Sequence, residues 1–76
     1  MDIMLLAERI QDAIHDNKLV EINAPAVSSQ YERLKSFVPL AGGWVHVKIS
    51  GMSWMEYIID PTTIIGFRIS ESDVED

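Results

Sequence analysis

Asp12, His15 and Asp16 stand at i, i+3 and i+4, a spacing that gathers one imidazole and two carboxylates on one face of a helix. Such a trio could begin a divalent-cation site. It lacks a further strong ligand, and acids around a histidine are also what a solvated helix face looks like, so no metal is expected. His46 could pair with Glu56 or Asp60 across a hairpin and act as a base, but a lone strand histidine beside tryptophan packs more often than it catalyses. Serines 28, 29, 50, 53, 70 and 72 fall in caps, turns and ends, and none sits in a G-x-S-x-G elbow. Glycines 42, 43, 51 and 66 fit neither a phosphate loop nor a dinucleotide fingerprint. Cysteine is absent, which excludes disulfides, thiolate metal sites and thiol nucleophiles. A chain of 76 residues leaves little surface to wall a pocket of about 300 Å³. The expectation is a protein that is not an enzyme, with no cofactor and no small-molecule substrate.

What remains is contact, and the elements decide which residues make it. Residues 3–17 pattern as an amphipathic helix, with Ile3, Leu6, Ala7, Ile10 and Ile14 on one face. Asp2 is placed to cap its first turn, and Asn17 to end it in a left-handed conformation. Leu19–Asn23 reads as a short strand. After the Ala24-Pro25-Ala26 break, Ser29 with Glu32 forms a capping box for a second helix, striped by Tyr31, Leu34 and Val38 with Phe37 beside them and stopped by Pro39. Residues 44–50, 54–59 and 64–70 alternate as strands, with a turn at Asp60-Pro61-Thr62. The expected fold is a single α+β domain over residues 1–70 in the order α-β-α-β-β-β. Its last three strands form an antiparallel meander packed on two helices. The alternative is a sheet curled into a small barrel.

Hairpin register follows from the cost of burying charge. A two-residue Gly51-Met52 turn would put Glu56 opposite Val47 on an apolar face. A longer loop pairs Ile49 with Met55, Val47 with Tyr57 and Lys48 with Glu56, leaving the two charges together on the other face. A buried unpaired carboxylate costs several kcal/mol, against about 1 kcal/mol for a less suitable turn, so the longer loop is chosen.

With Val45, Val47, Ile49, Met55, Tyr57, Ile59, Ile65, Phe67 and Ile69 facing the helices, the other side of the sheet holds Trp44, Trp54, Ile58 and Ile64, with His46, Lys48, Glu56 and Arg68 between them. A solvated sheet face should be polar, and exposed Trp and Arg mark interfaces. Residues 71–76 form an acidic tail. Glu71, Asp73, Glu75 and Asp76 supply four of the chain's 12 acids, which turns a nearly neutral body into a net charge of −6. The tail could dock on a basic patch of a partner.

The expectation is a small protein-binding module, a regulator or inhibitor of the accessory or phage-encoded kind, meeting either a larger target or a second copy of itself as a homodimer. A single-stranded nucleic-acid binder is the alternative, since a sheet face with aromatics and bases suits stacking on bases. Glu56 and the tail oppose that reading. No run approaches the roughly 20 apolar residues that span a bilayer. Met1-Asp2-Ile3-Met4 lacks the positive flank of a signal peptide, so a cytoplasmic location is expected.

Overall fold

The computed structural model describes residues 2–50 and 55–71. It is an α+β domain with one helix and a five-stranded antiparallel sheet. The elements are α1 (Ile3–His15), β1 (Leu19–Asn23), β2 (Glu32–Pro39), β3 (Val45–Ile49), β4 (Met55–Ile59) and β5 (Gly66–Ser70), with 3₁₀ turns at Ala41–Gly43 and Pro61–Thr63. The spatial order is β4-β3-β2-β1-β5.

Both ends of α1 are set by local chemistry. Asp2 Oδ1 accepts from the Met4 and Leu5 amides, at 3.0 and 3.4 Å. At the other end Asn17 adopts φ +64°. The Asn17 amide donates to the Ile14 carbonyl and the Lys18 amide to the Ala13 carbonyl, both at 3.0 Å. These two bonds satisfy carbonyls that a helix end otherwise leaves bare. Replacing Asp2 with alanine is expected to cost about 1 kcal/mol, read as a lower urea midpoint at unchanged slope. Ala7, Ile10 and Ala13 are buried beneath the helix, flanked by half-buried Ile3, Leu6 and Ile14.

The expected second helix is strand β2, and the sheet therefore packs on one helix where two were expected. Its ladder with β3 shifts register between Leu34 and Ser36. One extra residue, Lys35, changes which face the strand presents. Leu34 and Phe37 both reach the core, three residues apart, a spacing that mimics a helical stripe. Ser29 does not open a helix; one residue before it, the Ser28 hydroxyl accepts from the Gln30 amide at 3.2 Å, a local turn.

The hairpin register is the one that charge burial requires: Ile49↔Met55, Lys48↔Glu56 and Val47↔Tyr57. The three-stranded C-terminal meander does not form. β5 leaves β4, turns over Pro61–Thr63 and pairs with β1 at the far edge of the sheet. There Ile22 meets Phe67 and Glu21 meets Arg68. This register buries Ile22 and packs half-buried Phe67 beside it on one side, and pairs opposite charges on the other. The Ile65 amide extends the ladder by donating to Asn23 O at 2.8 Å.

The core lies on the inner face of this sheet. Val20 and Ile22, Leu34 and Phe37, and Val45, Val47 and Ile49 are buried there with Ile59 from β4. The Phe37 and Phe67 rings meet edge to face, with centroids 5.4 Å apart and planes at 80°. Helix α1 packs against β2 and β1, and the Gln11 side-chain amide donates to the Phe37 carbonyl. Ile64, expected on the outer face, is half-buried against the core, while Ile65 is exposed. Among the described residues no helix is long and apolar enough to cross a membrane.

Candidate functional site

The outer face of β2, β3 and β4 is what the helix leaves bare. Because Val45, Val47 and Ile49 point inward, His46 and Lys48 point outward, and the ladder brings their neighbours with them. One row is Val38–His46–Ile58 and the next is Ser36–Lys48–Glu56. One step past the last rung, the Leu40 amide donates to Trp44 O at 2.8 Å, placing Leu40 beside Trp44. The loop between them needs two left-handed residues, supplied by Gly42 and Gly43 at φ +88° and +89°. A Cβ on Gly42 would stand 3.6 Å from Trp44 Cδ1, so the indole lies against this turn.

These rows carry four of the exposed large apolar side chains. Trp44 is 50 % exposed, Ile58 62 %, Val38 41 % and Leu40 39 %. Four large apolar side chains in adjacent rungs form a solvent-facing patch beside a polar border. In that border His46 Nε2 lies 2.9 Å from Glu56 Oε1, a diagonal pair across β3 and β4. An ionised carboxylate only accepts, so Nε2 carries the hydrogen. The His46 hydrogen bond, reinforced by the nearby Lys48 ammonium, holds the Glu56 carboxyl below its ordinary pKa. A carboxylate with a lowered folded-state pKa stabilises the fold above its unfolded pKa, and that contribution is lost as pH falls through the folded value. The Glu56 carboxyl is therefore expected to titrate below the usual range near 4, followed by NMR. His46→Ala should move that midpoint upward. Asp60 behaves alike, its carboxyl lowered by the Thr62 amide at 2.9 Å and the Thr62 hydroxyl at 2.8 Å. These bonds cap the 3₁₀ turn that sends β5 away from β4.

Trp44, His46, Lys48, Glu56 and Ile58 are thus brought together. Arg68 is not. It stands on β5 at the opposite edge, with Nη2 3.1 Å from Glu21 Oε1 and its guanidinium 4.0 Å above the Tyr31 ring. Glu21 also faces Arg33 across β1 and β2. Glu71, well exposed, reaches half-buried Lys18 at 3.8 Å. Trp54, Asp73, Glu75 and Asp76 lie outside the described residues. Asp12 and His15 on α1 and Asp16 just after it stay exposed. Among the described residues no three His, Asp or Glu side chains gather as a metal site.

Val38 and Leu40 belong to the patch and were hidden in the sequence by the helical stripe assigned around them. Met4 and Leu5, each 63 % exposed on the first turn of α1, form a second apolar surface that periodicity alone had no reason to single out. Compared with protein-family models, curated proteins and solved structures, the chain matches none.

Proposed function

We propose that this chain works by contact, as a small regulator or inhibitor that binds a larger protein through the outer face of β2–β4. The observation that carries the reading is the row of Val38, Leu40, Trp44 and Ile58, four exposed apolar side chains on a face that a lone sheet should keep polar. Trp44 is the anchor. It is the residue type most enriched among binding hot spots, and two neighbouring glycines shape the turn it lies against. His46, Lys48 and Glu56 supply a polar rim. Glu71 and the acids beyond it add negative charge that suits a basic partner. The same reading sets the protein in the cytoplasm, where a chain without cysteine forgoes no disulfides.

Single-stranded nucleic acid fits less well. Lys48 faces Glu56 and Arg68 is engaged by Glu21, so the bases that would meet phosphate already face carboxylates. A homodimer is the second reading, favoured by the two edges of the sheet. β4 exposes Met55 and Ile58, β5 exposes Ile69, and neither has a further strand beside it among the described residues. Bare apolar edges invite a second copy. Sedimentation at several concentrations separates this case, since a concentration-dependent doubling of mass would support it.

Affinity capture with the tagged native chain, followed by titration of the purified captured protein, tests the main reading. Loss of binding in Trp44→Ala and Ile58→Ser, with His15→Ala at the exposed end of α1 unchanged, supports it. Equal binding by all three variants removes this face as the interface.

A further inference from the structure

A trough runs between the first turns of α1 and the end of β2, enclosing about 390 Å³. Its apolar wall is Met4 and Leu5 on the helix side with Val38 and Pro39 on the strand side. Its charged lining is entirely acidic: Asp2, Glu8 and Asp12 border it and no base does. Asp2 is occupied with capping α1, so its carboxylate is spent on the Met4 and Leu5 amides. Glu8 and Asp12 sit one turn apart, both exposed. Leu5, Glu8 and Asp12 follow one another at helical spacing, presenting an apolar residue and then two negative charges, with Arg9 as the single base beside them on the adjoining surface of α1.

We infer that this trough docks a basic amphipathic helix of a protein partner. An apolar stripe on such a helix would cover Met4, Leu5 and Pro39, and lysine or arginine one and two turns along would meet Glu8 and Asp12. Leaving both exposed acids beside apolar surface is tolerable for the free protein because water solvates them. When a partner covers them, a cation replaces that solvation most strongly, so an acidic helix is rejected and a neutral one is disfavoured by the cost of poorly paired carboxylates. The chain's net charge of −6 steers a cationic segment toward it from a distance. Val38 also belongs to the outer patch, so trough and patch meet at one strand. The inference rests on the contact reading and adds the partner's chemistry.

The test uses the full chain and three labelled peptides of 13 residues, the length of α1. One carries leucine at i, i+3, i+4 and i+7 with lysine elsewhere, one replaces lysine with glutamate, and one replaces leucine with serine. Fluorescence anisotropy at moderate salt is expected to show the leucine–lysine peptide binding about tenfold tighter than either control, a difference near 1.4 kcal/mol. The paired substitutions Glu8→Lys and Asp12→Lys, with the fold checked by circular dichroism, should remove that preference. Leu5→Ser should weaken binding, and Trp44→Ala should leave it unchanged. Equal binding of the acidic peptide, or indifference to the Glu8 and Asp12 substitutions, overturns the inference. Binding lost in Trp44→Ala but retained in Leu5→Ser overturns it too, while leaving the outer face as a contact surface.

Discussion

Phe37→Ala is expected to remove a large share of this protein's stability. Phe37 is fully buried, its ring meets Phe67 edge to face, and its backbone carbonyl takes the Gln11 side chain. One residue thus joins β2 to α1 and, through the ring, to β5. Truncating a buried phenylalanine costs about 3–5 kcal/mol, from lost transfer energy and the cavity left behind. A chain of this length has a stability on the order of 4–11 kcal/mol, so the substitution consumes a large share of it. Circular dichroism during a urea titration should show the midpoint falling to low denaturant or a transition already under way in buffer. A midpoint within a few tenths molar of wild type would mean that the core closes around the gap and that Phe37 is not its centre.

Trp44→Ala should do the reverse, keeping the fold and losing the partner. The indole is half exposed and the residue lies outside the β3 ladder, so folding gains little from it. Its removal is expected to weaken partner binding by about 2 kcal/mol or more, roughly thirtyfold in Kd, because tryptophan at the centre of an interface desolvates a large area in one step. The urea midpoint should stay close to that of wild type. Isothermal titration against the captured partner measures the first quantity and a denaturation curve the second. A large drop in stability without a specific binding defect would make Trp44 a structural residue of the Leu40–Trp44 loop.

Elements whose signals are local were legible in the sequence. The start of α1 follows from Asp2 and its end from Asn17, because caps act within four residues and need no tertiary partner. The register of β3 on β4 was legible as well. Only one pairing keeps Glu56 off the apolar face and sets it beside Lys48, and that constraint is contained in two short alternating segments. The outward direction of His46, Lys48, Glu56 and Ile58 follows from this, and with it most of the candidate face.

Tertiary structure alone decided the rest. In β2 the bulge at Lys35 converts an alternating pattern into a spacing of three between Leu34 and Phe37, so period no longer separates strand from helix. Only the ladder with β3 resolves it, by giving the backbone of residues 36–39 its partners. The placement of β5 was undecidable for a different reason. Its alternating apolar residues match β4 and β1 equally well on paper, and β1 lies more than forty positions away in the chain. What chooses β1 is non-local: Glu21 awaiting Arg68, and Ile22 and Phe37 awaiting Phe67. Arg68 consequently leaves the Trp44 face. The trough beside α1 exists only because β2, in place of a second helix, runs alongside it.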